Sequence, residues 1–282
     1  MSSRPGPAPL TGLLRWGTNQ LRRAGKPEQE ARWLLEWALG VDTLLRAQPE
    51  VGARAAERYR SAIAQRRAGF PLQHITGTMQ FRSLTLQAGP GVFAVRPETE
   101  LLVEVADVHR GDLVVDLCAG SGAIGLAVAA EHSGVEVIGV ELSPVAAAYA
   151  RRNADQVSLA PGSSYRLVQG DATVALPELD GQVNLVLTNP PYVPGTPALT
   201  GEVLFDPEMA LYGGGEDGLV LPRGIARRAR RLLAPGGQLL MEHDERQGPS
   251  LCRIAEELGF TDPQTLPDLT GRPRFLSARV PA

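Results

Sequence analysis

Apolar residues recur at three- and four-residue spacings between Leu10 and about Arg67: Leu10, Leu13 and Leu14, then Ala31, Leu34, Leu35, Ala38 and Leu39, then Ala55, Tyr59, Ala62 and Ile63. That period belongs to amphipathic helices, and Pro27 before the second run and Gly40 after it are start and stop signals. A small helical domain is therefore expected over residues 1–69. From Phe70 the pattern changes. Thr76-Gly77 and Gly89-Pro90-Gly91 are turn signals around Phe81-Arg82-Ser83-Leu84-Thr85-Leu86, whose alternation predicts a β-hairpin linker over residues 70–95. Beyond it, Leu113 to Leu117, Val135 to Val140, Tyr165 to Val168, Val183 to Thr188 and Gln238 to Glu242 read as strands. Helical stretches start between them at Ala123, Pro144 and Leu221. Such alternation predicts an α/β fold with a doubly wound, mostly parallel sheet over residues 96–282. A helix at Leu251 to Leu258 and two extended pieces, Asp262 to Leu266 and Arg274 to Val280, close the chain.

Charge sharpens this division. Residues 1–82 hold 13 Lys and Arg against 6 Asp and Glu, a balance of +7, while residues 83–282 hold 15 against 25, a balance of −10, which together give the net −3. A basic first module suits docking of an acidic or nucleic-acid-bearing partner, although a solvated helical surface gives the same count. Two cysteines, Cys118 and Cys252, make neither a disulfide framework nor a metal cluster. Met1 to Pro9 has no apolar stretch and no later run approaches membrane-spanning length, so a cytoplasmic protein with a loose Pro-rich start and no membrane partner is expected.

The chemistry concentrates at strand ends. Asp116-Leu117-Cys118-Ala119-Gly120-Ser121-Gly122-Ala123-Ile124-Gly125 joins the first strand to its helix, where glycines allow a tight turn and close approach of a ligand. Gly120, Gly122 and Gly125 match the dinucleotide fingerprint, a weak match by itself. Asp116 inside the strand and Glu141 at the end of the next, with no phosphate-binding basic residue, suit S-adenosylmethionine instead, since its sulfonium is cationic and it has no phosphate. Glu141 is placed to bind both ribose hydroxyls, and Asp171, in Gly170-Asp171-Ala172, to reach the adenine amino group. The expected cofactor contacts are thus Asp116, Cys118, Ala119, Gly120, Ser121, Gly122, Glu141, Leu142, Asp171, Ala172 and Asn189.

Asn189-Pro190-Pro191-Tyr192 follows a buried strand. Its prolines fix φ and remove two donors, leaving the Asn189 side chain and the Pro190 carbonyl as acceptors for a planar NH2 group, with the Tyr192 ring face beside it. Asn189, Pro190 and Tyr192 are the candidate catalytic residues, and Pro191 joins them as a substrate contact. The Tyr192 hydroxyl is not needed for this role, so Tyr192→Phe is expected to keep most activity. None of His74, His109, His132 and His243 is an evident base. An amino methyltransferase acting on adenine or guanine of nucleic acid shares all these features but calls for basic surface beside the cleft, and the −10 balance opposes it. A nicotinamide dehydrogenase fits the glycines and leaves the tetrad unexplained.

Over nearly its whole length the chain resembles the release-factor glutamine methyltransferases, the PrmC/HemK family. The resemblance rests on the tetrad at 189–192, the loop at 116–122, Phe205-Asp206-Pro207-Glu208-Met209-Ala210-Leu211, His74-Ile75-Thr76-Gly77 and Arg96-Pro97-Glu98-Thr99-Glu100. It implies a helical amino-terminal domain, a hairpin linker and a class I, Rossmann-like methyltransferase domain with a seven-stranded sheet. It also implies transfer of methyl from S-adenosylmethionine to the glutamine of the Gly-Gly-Gln motif of peptide chain release factors. A monomer with no metal and no direct nucleic-acid partner is expected. Cys118 stands where the family usually has glycine, Glu141 for aspartate, Ala94-Val95 for Ile-Pro and Ala172 for an aromatic.

Overall fold

A computed structural model of the chain describes residues 7–195 and 201–282. These form two compact units, residues 7–78 with 201–205 and residues 79–195 with 206–282.

In the first unit β1 (Ala8–Pro9) leads into α1 (Leu10–Arg23) and α2 (Glu30–Leu39); β2 (Glu50–Val51) pairs antiparallel with β1, and α3 (Ala53–Arg67) and α4 (Leu72–Thr76) follow. The helical spacing gathers Leu13, Leu21, Leu34, Leu35, Tyr59 and Ile63 into one buried core. Gly40 ends α2 in the left-handed conformation, with φ at 68°. The start departs from expectation, because Ala8–Pro9 is paired; residues 1–6 lie outside the described residues. Buried Arg66 holds Glu30 through two nitrogens, at 2.5 and 2.9 Å, and Glu202 at 2.7 Å. Breaking a buried pair of this kind typically costs ~3–5 kcal/mol. Together with the Phe70–Phe205 ring contact at 4.5 Å, it draws residues 201–205 into this unit.

The second unit opens with β3 (Thr78–Phe81) and β4 (Leu84–Gln87), which pair across Arg82-Ser83, and with α5 (Glu100–Glu104). Then come β5 (Leu113–Leu117), α6 (Ala123–Glu131), β6 (Glu136–Glu141), α7 (Pro144–Gln156), β7 (Ser164–Gln169), β8 (Val183–Thr188), α8 (Val220–Leu232), β9 (Leu233–Glu242), α9 (Gly248–Glu257), β10 (Thr261–Pro267) and β11 (Pro273–Arg279). The seven-stranded sheet runs β10-β11-β9-β8-β5-β6-β7, parallel except for β11, which is antiparallel to both its neighbours. Side chains alternate across a strand, so each strand feeds two cores. Val115, Ile138, Val186 and Leu239 face the one shared with α8 and α9; Val114, Val137, Leu185 and Leu240 face the one shared with α6.

Met79, Phe81, Leu84 and Leu86 belong to the α6 core, so the hairpin expected as a linker over 70–95 is packed into the second unit. β9 also starts at Leu233 rather than Gln238, because its Pro-Gly-Gly turn signal is absorbed as a register shift against β8. Strand order reverses at β5, with β6 on one side and β8 on the other. Ligands of open α/β sheets bind at the carboxyl ends beside such a switch.

Candidate active site

A cavity opens at those carboxyl ends, lined on one side by Cys118, Ala119, Gly120, Glu141, Leu142, Asp171 and Ala172. A Cβ built on Gly120, whose φ is 57°, meets no atom within 4 Å, so this glycine keeps a face of the loop open. Its neighbours serve a different end. A Cβ on Gly125 would come 2.9 Å from the Tyr165 ring, and one on Gly122 would come 3.1 Å from the Tyr165 hydroxyl, so these glycines let the loop lie close on β7. Asp116 is wholly buried and accepts the Gly125 N–H at 2.9 Å, which caps the first turn of α6. Burial pushes its carboxyl up to about 7; the Gly125 N–H opposes this and the charge of Glu141 adds to it.

Glu141 closes the loop from the next strand. One oxygen accepts the Gly120 N–H at 2.8 Å and the other the Ser143 N–H at 2.7 Å. Each carboxylate oxygen has a second lone pair, which leaves capacity for a ligand hydroxyl. Burial raises its pKa against these backbone donors. Asp171 accepts the Thr173 N–H and hydroxyl on one oxygen, at 2.8 and 2.7 Å, and both carboxylate oxygens have further lone pairs. Cys118 holds a positive φ of 66°, a conformation costly for any side chain but glycine's. Its thiol is pushed well up by burial, then by Glu141 and Asp116, so it stays a neutral wall of the cavity. Among the described residues no Lys or Arg lines this space, which fits a cationic cofactor without phosphates.

The opposite side carries the tetrad. Asn189 and Pro191 line the same cavity. The Asn189 amide NH2 donates to Thr99 Oγ1 at 3.3 Å, and Thr99 Oγ1 donates to Glu242 at 2.6 Å. Tyr192 donates its hydroxyl to the other Glu242 oxygen at 3.0 Å, while its carbonyl accepts from Gln247 Nε2 at 2.8 Å. Gln247 also donates to the Asp217 carbonyl at 2.8 Å. Burial drives the Tyr192 phenol upward and the neighbouring Glu242 adds to this, so Tyr192 remains a donor. Past the tetrad, Val193 pairs with Leu211 and Gly213, and Gly218 lies so close that a Cβ on it would sit 2.2 Å from the Tyr192 carbonyl. Asp206 accepts the Ala94 N–H at 3.1 Å and pairs with Arg96, joining the wall at Pro207, Met209 and Ala210 to the one at Phe93 and Val95.

A family model described as the PrmC N-terminal domain matches residues 12–77, and one described as a methyltransferase small domain matches residues 83–225. The release factor glutamine methyltransferase of Bifidobacterium longum is 44% identical over 95% of this chain and 99% of its own. That of Streptomyces coelicolor is 46% identical over 93% of this chain and 95% of its own. The chain belongs to the release factor glutamine methyltransferase family. Among solved structures, a Pyrococcus furiosus methyltransferase overlays with a TM-score of 0.55 at 17% identity, covering 79% of this chain and 98% of that one. A Thermus thermophilus 16S rRNA methyltransferase in complex with AdoMet and guanosine gives 0.53 at 24% identity, covering 72% of this chain and 49% of that one. At those identities they show the class I methyltransferase fold.

For this member of the family, the structure brings most of the residues singled out in the sequence to one cavity and changes the parts of several. Asp116, Ser121 and Gly122 stand outside its lining: Asp116 braces α6, the Ser121 carbonyl accepts from Asn153 at 2.9 Å, and Gly122 meets β7. Pro190 and Tyr192 are also outside the lining, and the Tyr192 hydroxyl, read from sequence as dispensable, is bonded to a buried carboxylate. No histidine lines the cavity among the described residues; His243 is fully buried, and burial lowers its pKa. Thr99, Phe93, Gln247 and Gly218 were missed. The glycine-rich run Gly213-Gly214-Gly215-Glu216-Asp217-Gly218 was the available signal for the last; Thr99 and Gln247 carry none in isolation.

Proposed function

We propose that the tetrad receives the side-chain amide of a glutamine, with its two N–H groups on Asn189 Oδ1 and the Pro190 carbonyl and its plane beside the Tyr192 ring. The chain carries out S-adenosylmethionine-dependent methylation of the glutamine of peptide chain release factors. S-adenosylmethionine, when bound, supplies a methyl group on a sulfonium that departs as a neutral thioether. An amide nitrogen is a poor nucleophile because its lone pair is delocalised. Two fixed acceptors polarise both N–H bonds and return density to nitrogen as it attacks, so positioning and electrostatics carry most of the rate. A strong base is not required, because the proton becomes acidic as the new bond forms and passes to solvent. Glu141 and Asp171 hold the ribose and adenine of the cofactor, and the open face of Gly120 admits it.

The observation that carries this reading is the orientation of Asn189: its NH2 group is already engaged by Thr99, and it lines the cavity that Gly120 and Glu141 share. The glutamine is that of the Gly-Gly-Gln motif, and the basic first unit docks the release factor away from the reacting amide, supplying remote binding energy. The enzyme works as a monomer in the cytoplasm, without nucleic acid; among the described residues no helix is long and apolar enough to cross a membrane. Mass spectrometry of methyl transfer to a whole release factor, its Gln→Ala variant and a short Gly-Gly-Gln peptide tests all of this. Methylation should appear on the first, vanish on the second and show a much higher KM on the third. Adenine methylation in DNA with an untouched release factor would refute the reading.

A further inference from the structure

Glu242, the last residue of β9, is 2% exposed and takes no part in the reaction as described above. Its two oxygens each accept one hydroxyl proton, from Thr99 and from Tyr192. An ionised carboxylate only accepts, and a hydroxyl has only one proton to give. Thr99 is fully buried, so once its proton is committed to Glu242 it faces Asn189 with a lone pair. The Asn189 group that meets that lone pair has to be the NH2, since the amide oxygen there would leave two acceptors in contact. The polarity of the chain therefore runs one way, from Asn189 through Thr99 to Glu242, and the Asn189 oxygen is the end left for substrate.

We propose that Glu242 is a specificity-determining positioning residue. Acting through Thr99, it selects the Asn189 amide orientation that accepts hydrogen bonds, and so makes the site take a side-chain amide and refuse a carboxylate of the same shape. Glutamate has the outline of glutamine but brings oxygens, not N–H groups, to Asn189 Oδ1. A reversed Asn189 would present its NH2 group and would bind glutamate instead. The proposal rests on the reading of Asn189 as the acceptor of the glutamine amide.

The test uses the full-length enzyme with a release factor as substrate and the Gln→Glu release factor as competitive inhibitor. Glu242→Gln replaces an obligate acceptor by a group that also donates, which frees the Thr99 proton to turn toward Asn189. Thr99→Val removes the relay, and Thr99→Ser keeps its oxygen. In Glu242→Gln and Thr99→Val, kcat on glutamine should fall by about tenfold or more, and the Gln→Glu factor should gain on the glutamine factor by about fivefold or more in the ratio of Ki to KM. Cofactor affinity by calorimetry should stay within about twofold, and Thr99→Ser should restore both kcat and discrimination. Equal loss in Thr99→Ser and Thr99→Val, an unchanged ratio of Ki to KM, or loss of cofactor binding in step with kcat would overturn the inference. Should Glu242→Gln not fold, the Thr99 pair decides by itself. Asn189→Ala separates the two levels: full activity there sinks the reading of Asn189, whereas an inactive Asn189→Ala beside unaltered Glu242→Gln and Thr99→Val sinks only the role of Glu242.

Discussion

The two sides of the cavity are built by different means. On the cofactor side, carboxylates meet backbone N–H groups only a short way along the chain: Asp116 with Gly125, Glu141 with Ser143, and Glu141 with Gly120 one β-α-β unit back. On the tetrad side, side chains meet side chains from remote segments: Asn189 with Thr99 at a separation of 90 residues, and Thr99 with Glu242 at 143. A loop fixed by its own backbone gives a generic cradle, which many sequences can form. A loop fixed by a buried polar relay has a defined direction of donors and acceptors, as selectivity between amide and carboxylate requires. On the function proposed above, generality of cofactor and particularity of substrate lie in separate constructions within one unit.

Removing the acceptor itself should have the largest effect. Asn189→Ala is expected to cut turnover by ~10²-fold or more while leaving cofactor affinity nearly unchanged; single-turnover kinetics beside calorimetry would show whether the two sides separate in this way. Next is Gly218→Ala, which places a Cβ 2.2 Å from the Tyr192 carbonyl at a φ of 73°. Overpacking and a left-handed backbone together should lower stability by ~2–4 kcal/mol in denaturant unfolding and displace the tetrad. A variant as stable as the parent would show that the tetrad is held less tightly than the relay implies.

Glu141→Ala should weaken S-adenosylmethionine binding by ~1.5–3 kcal/mol with little change in KM for the release factor, the mirror image of Asn189→Ala. A rise in the release-factor KM would mean the two sides are not independent. Tyr192→Phe withdraws one of the two hydroxyls from Glu242, and a buried acceptor deprived of a donor costs ~1–2 kcal/mol, so turnover should fall about tenfold rather than stay at the parental level. The effect of pH falls on stability rather than on turnover. The folded state holds a proton on Asp116 up to about 7, whereas the unfolded chain releases it near 3.8, so the folded protein binds more protons across that window. Stability should accordingly decline as pH rises from about 4 to about 7 and level off above, and Glu141 and Glu242, both raised by burial, act in the same sense. Melting curves of Asp116→Asn should show a clearly shallower decline over the window. An unaltered slope would mean that water reaches Asp116.

Periodicity with turn signals was enough for most of the strands and helices. The strands Leu113–Leu117 and Val183–Thr188 end where their apolar runs end, and Ser143-Pro144 starts α7 with the Ser143 hydroxyl accepting the Ala146 N–H at 3.3 Å. These features are local: a strand's face and a helix's first turn are written in a few consecutive residues. The glycine loop, Glu141 and the tetrad were legible for the same reason, since each occupies a fixed offset from a strand end. Tertiary structure alone decided how polar atoms from remote segments are paired. Nothing in Arg96-Pro97-Glu98-Thr99-Glu100 says that the Thr99 hydroxyl will serve Asn189, and nothing in Glu242-His243 says that a carboxylate will be sealed under the tetrad. A hydrogen bond depends on distance and direction between atoms, and the sheet order that lays β9 beside β8 and brings residue 99 to both is set by burial of whole strands. Hydrophobic spacing carries no record of which buried oxygen meets which buried proton.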